Sequence, residues 1–193
     1  MLQKLMDSPV AWLVLAIISV VSFIIAIYEI VKKKSVKELS CYDSSYVIVK
    51  NNENSISKMA IMYDGKEVEN VTISKFAIWN SGTEMLSKEN FVDKIFFQAR
   101  AESNAKILDA QIIEKTNKNN KIDFVKSENG SLINENTVKI TFDYADKQDG
   151  CVLQLLHTGK GSDISPDSVI KGGEELKWVN KDHYNNKKRI IIL

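Results

Sequence analysis

Between Pro9 and Val31 the chain reads PVAWLVLAIISVVSFIIAIYEIV, a run in which Glu29 is the sole ionisable residue and stands near one end. At 1.5 Å rise per residue, such a run is long enough to cross a hydrocarbon core of about 30 Å with some tilt. Trp12 and Tyr28 lie toward its two ends, where amphipathic aromatic rings favour the headgroup region. A cleaved signal peptide would instead need a basic start, an apolar core of about 7–15 residues and a small-residue cleavage site. This run is longer, and it closes on Tyr28-Glu29-Ile30-Val31 followed by lysines. A single retained membrane helix is therefore expected, with the bilayer as the first partner of the chain.

The flanking charges give a direction. Lys32, Lys33, Lys34 and Lys37 follow the run, whereas Lys4 and the amino terminus precede it and are offset by Asp7. Because the flank richer in Lys and Arg stays in the cytoplasm, the C-terminal part is expected to face the cytosol. The basic residues are almost all lysine, with Arg100 and Arg189 the exceptions, and Asn and Ile are abundant. That is the habit of an AT-rich bacterial genome, so the expected location is a bacterial inner membrane. Ala16, Ser19, Ser22 and Ala26 recur every three or four residues and fall near one face of the helix. Small residues at that spacing let membrane helices approach closely, which points to a homo-oligomer formed through the helix.

Beyond the lysines the pattern changes to short runs of β-branched and aromatic residues separated by Asn, Asp and Gly. Residues 46–49, 59–63, 71–73, 76–79, 95–97, 107–113, 122–125, 138–144, 151–156, 168–171 and 175–179 read as strands. Asp64-Gly65, Asn129-Gly130 and Asp149-Gly150 read as turns between them, 117–120 as a polar turn, and 87–91 as a short helical turn. So many short strands in one domain-sized stretch predict a mainly β fold, a sandwich with a closed β-barrel as the alternative. Trp79, Phe96, Phe97, Phe124, Phe142 and Leu153 are the expected core. The organisation is then a short tail over 1–8, a membrane helix over 9–31, a basic linker over 32–37, a β domain over 38–180, and a basic and apolar tail over 181–193. That last tail is expected to add an edge strand or to meet the inner leaflet.

Two stretches look familiar. DGKEVENVTISKFAIWNSGTEMLSKENF, residues 64–91, and LLHTGKGSDISPDSVIKGG, residues 155–173, resemble recurring regions of uncharacterised bacterial membrane-anchored β-sandwich proteins. The resemblance implies an N-terminal membrane helix, an immunoglobulin-like sandwich, a structural turn at Asn80-Ser81-Gly82, and no catalytic residues to carry over. By architecture alone, a membrane helix joined to a small β domain is also similar to membrane effectors of antiphage defence systems.

Chemistry is sparse. Lys plus Arg number 26 against 25 for Asp plus Glu, so no strong basic field marks a nucleic-acid partner. His157 and His183 are the two histidines and Cys41 and Cys151 the two cysteines; none has the spacing of a metal site or a triad. No metal and no cofactor are expected, and the carboxylates are scattered, so the chain reads as a non-enzyme. The glycine-rich stretch around Gly159-Lys160-Gly161-Ser162 lacks the setting of a phosphate-binding loop. His157, Thr158, Lys160 and Ser162 still offer donors for an anionic ligand, with an ordinary exposed loop as the competing reading. Two functions fit: a cytosol-facing module that binds a nucleotide-like signal or a protein partner and acts through self-association, or an outward-facing envelope scaffold with Cys41 and Cys151 bridged.

Overall fold

The computed structural model describes residues 9–32, 35–50, 60–100, 102–134, 136–172 and 175–180. The chain divides into two compact units, 1–35 and 36–193. The first contains helix α1 (Pro9–Lys32), whose Pro9–Val31 stretch is long and apolar enough to cross a membrane and whose apolar window holds no buried residue. Phe23 is 67% exposed and Ile30 74%. Pro9 suits the first helical turn, where an amide would have no intrahelical acceptor, and no further Pro or Gly interrupts the helix.

The second unit is mainly β. Its strands are β1 (Leu39–Lys50), β2 (Ile61–Tyr63), β3 (Lys66–Val68), β4 (Asn70–Asn80), β5 (Leu86–Ser87), β6 (Ile95–Ala99) and β7 (Ile107–Lys115). They continue with β8 (Asp123–Phe124), β9 (Ile133–Asn134), β10 (Thr137–Thr141), β11 (Tyr144–Ala145), β12 (Gly150–His157), β13 (Ile164–Asp167) and β14 (Lys177–Trp178). The larger sheet has the order β14-β1-β4-β12-β7, and a second runs β13-β6-β10-β8, with β9 also on β10. Both sheets have open ends, so the barrel alternative is set aside.

Strand β4 organises the larger sheet. Phe76 and Ile78 point to one face with their antiparallel neighbours Cys41 of β1 and Cys151 and Leu153 of β12, and all join the main hydrophobic cluster. Ile95, Phe97, Val138 and Ile140 bring the second sheet into the same cluster. The two sheets meet where the Phe76 and Phe97 rings lie 5.0 Å apart at a 50° tilt. Phe91 and Phe142 add an edge-to-face pair at 5.4 Å, the arrangement the ring quadrupoles favour.

Several sequence expectations need correction. Residues 71–73 and 76–79 are one strand, because Ser74 and Lys75 keep the two-residue alternation going between them. Residues 46–49 are the far half of a longer β1, whose first half places Leu39, Cys41 and Tyr42 among serines and Asp43 and so lacks a run of β-branched residues. The strand expected at 168–171 is replaced by isolated bridges at Val169 and Ile170, while β13 forms just before it. Pro166 is tolerated there because β13 is the edge of its sheet. Trp79 is buried, but on the opposite face of β4, in a separate cluster with Ala77 and Val152. Phe124 is half-buried at the margin of the main cluster, Phe97, Phe142 and Leu153 are inside it, and the Phe96 side chain lies outside the described residues.

The turns follow local chemistry. Asp64 (φ 48°) and Gly65 (φ 73°) close the β2–β3 hairpin with positive φ at both central residues, and 118–120 forms a 3-10 turn. Asp149-Gly150 is not a turn of that kind. Gly150 opens β12 and is required by close approach, since a Cβ there would stand 2.0 Å from the Ile78 carbonyl oxygen.

Candidate binding site at the polar end of the larger sheet

Past Phe76 the inner face of the larger sheet changes from apolar to polar. Ser74 and Thr72 of β4 face Leu155 and His157 of β12, and Ser45 of β1 stands opposite Ser74. Thr72, Ser74 and His157 are fully buried. Each must find a partner inside, because an unpaired buried polar group costs roughly 1–3 kcal/mol.

The partners form a directed chain. His157 Nδ1 lies 2.7 Å from the Thr158 carbonyl oxygen, which only accepts, so Nδ1 carries the proton. His157 Nε2 then accepts from the Ser74 hydroxyl at 2.7 Å. With its one proton committed, Ser74 Oγ accepts from Ser45 Oγ, also at 2.7 Å. Thr72 Oγ1 donates to the Gly159 carbonyl at 2.6 Å. Burial pushes the His157 pKa below its ordinary value, which keeps the ring neutral and this polarity intact.

A serine hydroxyl donating to a neutral histidine is the geometry of an activated nucleophile. Two features argue for a structural use here. The orienting partner of the histidine is a peptide carbonyl rather than a carboxylate, and Ser74 is sealed from solvent. Gly161 packs against one side of the outer serine, Ser45, which is itself exposed, so closely that a Cβ would lie 2.3 Å from Ser45 Cβ.

The loop above, from Thr158 to Asp163, spends its first three amides on itself and on its supports. The Gly159 amide donates to Asn70 Oδ1, and the Lys160 amide donates to Asp163 Oδ2 at 2.8 Å. Thr158 N donates to the Lys106 carbonyl at 2.9 Å, while Lys106 N donates back to Thr158 Oγ1 at 2.8 Å. The Asp163 carboxylate thus sits where an anion held by the loop amides would sit.

The four residues singled out in the sequence are therefore split. His157 lies in the interior, Lys160 and Ser162 are exposed, and Thr158 reaches a different feature. Thr158 lines a surface groove of about 520 Å³ together with Lys106, Asn136, Ser103, Glu67 and Glu69. That volume falls within the range of small-molecule and peptide sites, and the lining mixes one cation with two carboxylates. Sequence reasoning missed Ser45, Thr72, Ser74 and Lys106. Thr72 and Ser74 did carry a signal, as polar residues on the period where β4 otherwise turns Phe76 and Ile78 inward.

Among the helix-face residues, Ala16, Ser19, Ser22 and Ala26 all lie within α1, and Ser19 Oγ is bonded to the Ala16 carbonyl of its own helix at 2.8 Å. His183 and the tail over 181–193 lie outside the described residues. Among the described residues, no group of three His, Cys, Asp or Glu side chains is placed to hold a metal ion.

Asn80-Ser81-Gly82 forms the tie between the start of the β unit and its body. Asn80, fully buried, donates through Nδ2 to the carbonyls of Glu84 (2.7 Å) and Ala145 (2.8 Å), and its Oδ1 accepts from Gly82 N at 3.0 Å. The Val36 carbonyl accepts from Thr83 N and Glu84 N, and the Glu38 carbonyl from Ser81 N and Gly82 N. Lys37, the last residue of the basic linker read from the sequence, lies 3.7 Å from Glu84 in an ion pair. Comparison with protein-family models, curated proteins and solved structures returns no match to the chain.

Proposed function

We propose that the chain is a single-pass anchored binding module of a bacterial inner membrane, with its β unit in the cytosol and its helices associating with one another. The observation that carries this reading is α1: a helix of 24 residues with a membrane-length apolar stretch in which no residue of the apolar window is buried. Leaving that surface in water would cost roughly 25 cal/mol for each Å² of apolar area, so it calls for a bilayer. The lysines after it supply the direction. The β unit in this reading is an immunoglobulin-like sandwich that binds without catalysis, and its ligand is a nucleotide-like signal or a protein partner taken up at the groove beside Thr158 and Lys106. Its most specific form is an antiphage effector that disturbs the membrane once the signal has brought helices together.

Anchoring and helix association are tested together on the full chain. Alkaline extraction of membranes should leave the protein in the pellet, and a Val20→Lys/Ile24→Lys variant should be released. Ser22→Leu or Ala26→Leu should lower the oligomer mass in detergent; an unchanged mass would remove the small-residue face from the account.

A further inference from the structure

Strand β1 is paired with β4 along its whole length, but on its other side β14 covers it only at Ser40 and Cys41. Among the described residues, the segment from Ser44 to Lys50 has no strand on that side. Among the described residues, such an edge offers a row of backbone donors and acceptors that another chain can extend. Tyr46, Val47 and Ile48 on it are 52%, 50% and 49% exposed. On the outer face of the sheet, Tyr46 stands beside Ile73, and Ile73 beside Leu156, so an apolar row runs to the edge and stops there.

The register of β1 identifies the occupant. Val47 pairs with Thr72 and Lys50 with Asn70, so three steps on β1 match two on β4, with the bulge between Val47 and Val49. The extra residue returns Lys50 to the face that carries Val47 and Asp43. If a second β1 is laid antiparallel along the edge about a twofold axis at Tyr46, Ser45 falls opposite Val47 and Ser44 opposite Val49. Asp43 then falls opposite Lys50, on the same face, at both ends of the pairing. Neither residue has an ion pair among the described residues. A strand that is its own charge complement suits a second copy of itself, because isologous contacts place each patch against its twin.

We infer that the β1 edge is a self-association surface, joining two copies of the chain by antiparallel β1–β1 pairing centred on Tyr46. This rests on the self-association part of the proposed function and assigns it a second contact, outside the helix. Opposed residues in an antiparallel pair have Cα atoms about 4.5–5.5 Å apart, within reach of a disulfide.

The test is oxidative cross-linking of the full chain in detergent, with copper phenanthroline as oxidant. Tyr46→Cys should give a covalent dimer, whereas Ile113→Cys on the far edge strand β7 and the unsubstituted chain, with its two buried thiols, should not. Adding Asp43→Lys to Tyr46→Cys should cut the yield about threefold or more by setting like charges opposite each other, and adding Lys50→Asp as well should restore it. If Tyr46→Cys fails to cross-link while the chain remains oligomeric and loses mass on Ser22→Leu, the edge is overturned and helix association stands. A chain that neither cross-links nor exceeds monomer mass overturns both.

Discussion

Cys41 and Cys151 both stand opposite Ile78, one on each side of it, so a whole strand separates the two thiols. Two strand spacings amount to about 10 Å, beyond the Cα separation of about 4.4–6.8 Å that a disulfide spans. A bridge between them, which would have marked an outward-facing scaffold, has no place in this fold. Both thiols are buried, and burial raises the Cys41 pKa well above its ordinary value and that of Cys151 to about 12. Neither is a usable thiolate near neutral pH. Mass spectrometry after iodoacetamide treatment at pH 8 should find both unmodified in the folded chain and both alkylated in denaturant, with no internal disulfide under air.

The Ser45–Ser74–His157 chain predicts a pH response. The folded pKa of His157 lies below its unfolded value, so the unfolded chain binds the proton more readily. Stability from this group is complete above about pH 6.5 and is lost as the pH falls through the folded pKa. Asp163, whose charge favours the protonated ring, moderates the loss. The melting temperature of the native chain should drop more between pH 7 and pH 5 than that of His157→Gln, which does not titrate there. Parallel curves for the two would remove His157 from the account.

Asn80 satisfies two carbonyls and one amide at the tie that holds the start of the β unit. Asn80→Ala takes the donor away from the Glu84 and Ala145 carbonyls, while Gly82 N keeps its bond to the Glu38 carbonyl, and should cost roughly 1–3 kcal/mol, read as a lower denaturation midpoint. Proteolysis near residues 35–38 should also become faster.

Phe76 is the larger sheet's contact with Phe97. Phe76→Ala should destabilise by about 3–5 kcal/mol, through lost burial and the cavity left between the sheets. Phe76→Leu should cost much less, because it restores most of the volume.

The helix and the mainly β character were legible because both are carried by local periodicity. A 23-residue apolar run needs no tertiary context, and neither does the Asp64-Gly65 hairpin. What was not legible depends on neighbours in space. The side of β4 to which Trp79 turns is fixed by its pairing with β1 and β12, and Gly150 is fixed by the nearness of Ile78. The grouping of His157, Thr158, Lys160 and Ser162 followed from their adjacency in sequence. The alternation of β12 and the fold of the loop then sent His157 inward, Thr158 toward Lys106, and the other two outward. Asn70 and Asp163 took loop amides that had been left open for an anion, and Thr72 took the Gly159 carbonyl.

The orientation of the β unit decides more of this account than any other single fact. The direct measurement is a pair of C-terminal fusions of the full chain in a bacterial host, one to alkaline phosphatase and one to green fluorescent protein. Fluorescence with no phosphatase activity is the predicted result and places the unit in the cytosol, where an internal signal could reach it. Phosphatase activity with no fluorescence would contradict the account and make the chain an outward-facing envelope module.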